Sequence, residues 1–197
     1  YNLNSNAYKK NLIKTKKFFN IFKSDFEVKI PLLQSYDKNY ELDFSFKKIK
    51  KFSKYKNIII FGMGGSILGS KCIYSFFKKK IKKKVFFFDN LDVNLHIEFK
   101  KIKNLKNSCF IVISKSGNTL ETITNLSIIF SKSLLNNKLF VITETTDNCL
   151  FDIANKFNAE VIEHKNFIGG RYSVFSEAGM LPATLMGLKI EKFKNIE

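Results

Sequence analysis

Five short apolar runs punctuate the chain between residues 57 and 163. They are Asn57-Ile58-Ile59-Ile60-Phe61, Val85-Phe86-Phe87-Phe88, Cys109 to Ile113, Lys138 to Thr143 and Ala159 to Glu163. Their apolar residues are largely β-branched or aromatic and do not alternate with polar ones, which predicts strands covered on both faces. The intervening segments carry helical spacing: Ile67 to Lys80, Asp92 to Lys101 capped by Asp92, Leu120 to Leu135, and Asn148 to Phe157. Strand and helix in strict order predict an α/β fold, a three-layer α/β/α sandwich around a five-stranded parallel sheet with right-handed crossovers. Ahead of it, Tyr1 to Lys23 predicts a basic helix with Leu12, Phe19 and Phe22 on one side. Ser24 to Lys38 is irregular and contains Pro31, and Glu41 to Tyr55 predicts a second helix with Leu42, Phe46, Ile49 and Phe52 aligned. The expected division is a helical extension, residues 1–55, packing on an α/β domain, residues 56–197.

In a parallel sheet, ligands sit beyond the carboxyl ends of the strands, where the strand order reverses. Two turns fall on that edge. After the third strand comes Ser114-Lys115-Ser116-Gly117-Asn118-Thr119, which leads into a helix. Free N–H groups and the positive helix end converge at such a turn, and hydroxyls plus an ammonium make it an anion site suited to phosphate. A plainer reading, compatible with the first, is a polar loop with Thr119 as N-cap. The pattern G-x-x-x-x-G-K-[ST] is absent, so this is not the nucleotide P-loop. After the first strand comes Gly62-Met63-Gly64-Gly65-Ser66-Ile67-Leu68-Gly69. Gly64, Gly65 and Ser66 suit close backbone approach to a small oxyanion. A ligand-free tight turn is the second reading. A dinucleotide site, with Asp89 after the second strand as the ribose acceptor, is the third.

Composition changes the picture at one residue. The net charge of +17 comes from 33 lysines and one arginine, Arg171. Readers of nucleic acid use arginine and interleaved aromatics, whereas these lysines are scattered and the densest run, Lys78 to Lys84, reads as a solvated helix end. Neither nucleic acid nor a membrane is expected as a partner, and no apolar run approaches the ~18 residues of a membrane span. Arg171 stands alone in Phe167-Ile168-Gly169-Gly170-Arg171-Tyr172-Ser173. A planar, permanently charged fork fits an oxyanion-stabilising role, the alternative being a structural partner of a carboxylate or of helix-end carbonyls. Cys72, Cys109 and Cys149 show no paired spacing, and His96 and His164 lack ligand partners nearby in sequence. Buried thiols in a reducing, cytoplasmic setting are expected, with no metal site.

The glycine turn, the run Ser114 to Thr122, and Gly169-Gly170-Arg171-Tyr172-Ser173 followed by Gly179-Met180-Leu181-Pro182 together resemble the glucose-6-phosphate isomerase (phosphoglucose isomerase) family, in its order. The resemblance runs from about Ile58 onward. It implies a sugar-isomerase (SIS) domain of flavodoxin-like type, with Gly65, Ser66, Ser114, Lys115, Ser116, Gly117, Asn118 and Thr119 around the sugar phosphate and Arg171 facing the substrate oxygens. It implies conversion of glucose 6-phosphate to fructose 6-phosphate through a cis-enediol, in glycolysis and gluconeogenesis, without cofactor or metal, by a homodimer. A non-catalytic sugar-phosphate module, or an isomerase of another sugar phosphate, would share the same loop. The family's base glutamate, ring-opening histidine and late lysine fall after residue 197; from its start at Tyr1 and its end at Glu197 without a terminating feature, the chain is expected to be a piece of a longer protein, cut at both ends. Glu177 reads as a helix N-terminal carboxylate rather than the base. Glu121 reads as a brace for the phosphate loop, and His164 has no transferable role.

Overall fold

The strands are β1 (Asn57–Gly62), β2 (Lys84–Phe88), β3 (Ser108–Ile113), β4 (Leu139–Thr143) and β5 (Glu160–Glu163). They form one parallel sheet in the order β2-β1-β3-β4-β5. Every residue of β1, β3 and β4 is buried, which is why these runs carry no polar alternation. The computed structural model describes residues 5–27, 30–127 and 138–193.

The helices are α1 (Ser5–Glu27), α2 (Phe46–Lys50), α3 (Gly65–Phe77), α4 (Leu95–Lys100), α5 (Leu120–Ser127), α6 (Cys149–Lys156) and α7 (Glu177–Leu185). Successive strand residues feed opposite cores. Ile59, Phe61, Phe110, Val112 and Val141 pack with Phe99 of α4, Leu126 of α5 and Ile153 of α6. Ile58, Ile60, Ile111, Ile113 and Ile142 pack with Ile49 of α2, Ile67 of α3 and Leu181 of α7. This is the expected three-layer SIS-type sandwich. Each fully buried Phe or Ile contributes about 1.5–3 kcal/mol, so the two cores dominate stability.

Most predicted boundaries lie within three residues of those observed, and the exceptions have local causes. The helix expected over Glu41 to Tyr55 shrinks to Phe46–Lys50, with Ser45 Oγ accepting from Lys48 N at 3.3 Å. Residues 40–43 are held outside any helix because Tyr40 and Asp43 bond to Glu177 on α7. Asp92 does not cap α4; its Oδ1 accepts from Asn94 N at 2.8 Å, forming a local turn before Leu95. The stretch 128–135 of the helix expected to reach Leu135 lies outside the described residues.

The extension behaves as two parts. Residues 31–44 lie against the turn Gly170–Phe175 and α7: the rings of Tyr36 and Phe175 stand 5.0 Å apart, and Ser35 Oγ donates to Tyr172 O at 3.4 Å. In α1, by contrast, every described side chain, residues 5–24, is exposed, so the packing expected of this helix is not what the structure shows. Tyr8, Leu12, Phe18, Phe19 and Phe22 share one side of the helix, and all five are exposed.

Candidate functional site

The chain order reverses between β1 and β3, and both candidate turns leave the sheet at that point. The glycine turn opens α3, with Ser66 N donating to Met63 O and Ile67 N to Gly64 O. A Cβ at Gly65 would lie 2.7 Å from both Arg171 N and Gly170 O, so only glycine lets the Gly169-Gly170-Arg171 backbone seat against α3. Ser173 Oγ fixes the contact, donating to Gly170 O at 2.7 Å and reaching Gly65 O at 3.4 Å. Arg171 is thereby placed beside Gly65 and Ser66. Its guanidinium is exposed and makes no ion pair among the described residues, so the structure supplies no carboxylate for the ion-pair reading.

The serine-lysine loop is held by its neighbours rather than by its own helix. Ser114 is buried, its N–H donating to Ile142 O, and its hydroxyl lies 2.8 Å from Thr119 Oγ1. The Thr119 hydroxyl is thus bonded across the loop. Gly117 has φ +67° and rests on Asn148, whose Cβ would stand 2.8 Å from any Cβ at 117. Leu150 N donates to Gly117 O at 3.1 Å, and Cys149 N to Asn118 Oδ1 at 2.9 Å. The first N–H groups of α6, those of Cys149 and Leu150, are therefore spent on the loop. Lys115 O accepts from Glu144 N and Thr143 Oγ1, and its ammonium bonds Asn166 O with Glu144 at 3.8 Å. The Ser116 side chain is exposed, its oxygen accepting weakly from Asn118 N at 3.4 Å. Glu121 stands in the first turn of α5, but the bracing bonds come from the region of Asn148.

Sequence reasoning missed Asn148 and His164. Asn148 is buried; its Oδ1 accepts from Phe151 N at 3.0 Å as the cap of α6, and its amide donates to Glu144 O and Thr146 O. An Asn directly before a helical pattern was the available signal. His164 follows β5, is 1% exposed, and has its Nε2 without a partner among the described residues. Burial pushes its pKa down, the backbone carbonyl of Lys165 opposes this, and Lys115 adds to the depression against Glu144. A buried imidazole whose neutral form is favoured thus sits near Lys115, and nothing in the local sequence announces it.

The remaining expectations sort by geometry. Asp89 is held by Lys71, which occupies the carboxylate that a ribose would need. Glu177 begins α7 as expected and is 1% exposed, accepting from Tyr40 Oη at 2.9 Å and Asp43 N at 3.1 Å. Burial raises its pKa, with the two backbone N–H groups, Tyr40 and Lys165 opposing. Only Cys109 of the three thiols is buried, and Cys72 is exposed. Among the described residues no three His, Cys, Asp or Glu side chains gather as a metal site, and no helix is long and apolar enough to cross a membrane.

Comparison with known proteins bears on the same residues. Residues 42–196 match the phosphoglucose isomerase family. The chain is 33% identical over 159 residues to a glucose-6-phosphate isomerase of Methanocaldococcus jannaschii, covering 80% of this chain and 38% of that protein. It is 32% identical over 182 residues to that of Acholeplasma laidlawii, covering 86% and 42%. The crystal structure of a glucose-6-phosphate isomerase from Chlamydia trachomatis superposes with a TM-score of 0.64 at 22% identity, over 82% of this chain and 35% of that one. The chain thus spans about two fifths of these relatives' length. The motifs after β1, β3 and β5, set at one sheet edge, belong to a chain of the phosphoglucose isomerase family.

Proposed function

We propose that this chain supplies the phosphate-binding half of a glucose 6-phosphate–fructose 6-phosphate isomerase. The phosphate is bound by Ser114, Lys115, Ser116 and Thr119 at the amino end of α5, with Gly65 and Ser66 closing the opposite wall. Gly117 and Asn118 hold the loop in shape through α6. Arg171 faces the sugar's reacting oxygens and stabilises the enediolate as a proton moves between C2 and C1. Phosphate binding remote from the reacting carbons orients the sugar and lowers the entropic part of the barrier. The full-length protein acts in glycolysis and gluconeogenesis in the cytoplasm, as a homodimer, with the base outside this chain.

The observation that supports the reading is the seating of the Gly170 and Arg171 backbone on Gly65, near the edge that holds the serine-lysine loop, with no ion pair to Arg171 among the described residues. The test is turnover by the full-length protein. Arg171→Lys should lower kcat at least tenfold with a smaller change in KM, because an ammonium cannot present the fork. Wild-type turnover in that variant would remove the role. A second reading applies to the 197 residues alone. Glu177 is already bonded to Tyr40 and Asp43, which favours a module that binds sugar phosphate without chemistry. Binding of fructose 6-phosphate without isomerisation would support it.

A further inference from the structure

The amino-terminal edge of the sheet, opposite the candidate site, collects lysines that are distant in sequence. A hollow of about 560 Å³ is lined by Lys54, Lys56, Lys82, Lys83, Lys84 and Lys103. An adjoining hollow of about 720 Å³ shares Lys54 and Asn107 and adds Lys106 and Lys138. These residues precede β1, β2, β3 and β4, and parallel strands put all their beginnings at one edge. The run expected as a solvated helix end is divided: α3 stops at Phe77, and Lys82, Lys83 and Lys84 lead into β2.

No carboxylate lines either hollow, and none of these lysines forms an ion pair among the described residues. Four acids stand at the other edge, Asp89 after β2, Glu144 and Asp147 after β4, and Glu163 ending β5, whereas Glu160, which opens β5 on the lysine edge, is paired with Lys51. At the carboxyl edge Asp89, Glu144 and Glu163 are paired with Lys71, Lys115 and Lys165, so the sheet-edge lysines without an ion pair among the described residues gather at the amino-terminal edge. Lys83 is half-buried, and burial pushes its pKa down. Its neighbour Cys109 is pushed up to about 12, so at neutral pH it is an uncharged thiol and no counter-charge. Asn107 Oδ1 accepts from Lys56 N, which leaves its amide N–H groups as neutral donors at the rim.

We propose that this edge binds a compact anion bearing several phosphate groups, at a site separate from the sugar-phosphate site. One phosphate would engage two or three of these ammoniums; a linear oligophosphate engages the set and relieves their mutual repulsion. Nucleic acid is a poorer fit, since the lining offers no arginine for base edges and one aromatic, Tyr55, already under the Lys54 ammonium at 5.4 Å.

Calorimetric titration of the chain with inorganic tripolyphosphate at fixed ionic strength tests this. One saturable site is expected, weakened at least tenfold by the triple variant Lys54→Gln, Lys82→Gln, Lys103→Gln. All three lysines are exposed, so the fold should be retained, checked by an unchanged Tm. The triple variant Lys9→Gln, Lys10→Gln, Lys14→Gln on α1 removes equal charge and should leave affinity unchanged, as should saturating fructose 6-phosphate. Equal losses in both triple variants, absence of a saturable site, or displacement by fructose 6-phosphate would each overturn the proposal. None of these outcomes depends on the isomerase reading.

Discussion

Gly117 illustrates how much one missing methyl decides. Its positive φ disfavours an L side chain, and Asn148 occupies the space that a Cβ would take. Gly117→Ala should cost about 1–3 kcal/mol of stability, from strain and overpacking together. The loop should shift as well, so fructose 6-phosphate binding to the chain should fall by more than the Tm alone suggests. Wild-type affinity in a folded Gly117→Ala chain would show that the loop's present shape does not matter to binding. A glycine between Ser116 and Asn118 was legible as a turn in the sequence. Why it must be glycine was not, because the obstructing side chain lies 31 positions later.

At the scale of elements, α6 serves the site although none of its residues is expected to touch substrate. Its amino end holds Gly117 O and Asn118 Oδ1, while Asn148 both caps the helix and supports the loop. Asn148→Ala should cost about 0.5–2 kcal/mol through the lost cap. Asn148→Asp keeps the acceptor for Phe151 N but loses the amide donated to Glu144 O and Thr146 O. It should therefore recover most of the helix stability, measured by thermal unfolding, and less of the sugar-phosphate affinity. Equal recovery of both would reduce Asn148 to an ordinary cap. The strands and the existence of α3, α5 and α6 were readable from apolar runs and helical spacing. The shortening of α2 was not, since Leu42, Phe46, Ile49 and Phe52 keep helical spacing while Glu177 draws the backbone at Asp43 elsewhere.

For the molecule as a whole, the clasp of Tyr40 and Asp43 on Glu177 ties residues 31–44 to the α/β domain. The folded pKa of Glu177 is raised above its ordinary value of 4.5, with burial the leading cause. The native state therefore favours the protonated acid. Stability from this group is present below pH 4.5 and is lost as pH rises through the folded pKa. Glu177→Gln should accordingly gain Tm relative to wild type as pH is raised from 4 to 7.5. A Gln variant whose deficit instead grows with pH would show that Lys165 and the donors outweigh burial.

The sequence by itself determined the five strands, their parallel direction, the two turns at the carboxyl edge and the singular arginine, because strand burial and turn chemistry are written locally in residue type and spacing. Only the tertiary structure decided that Gly65 admits the Arg171 segment, that Asn148 carries Gly117, that His164 is buried near Lys115, and that scattered lysines share one edge. Those facts depend on contacts between residues tens of positions apart. No periodicity within a single element encodes them, and the parallel sheet brings them together only once it has closed.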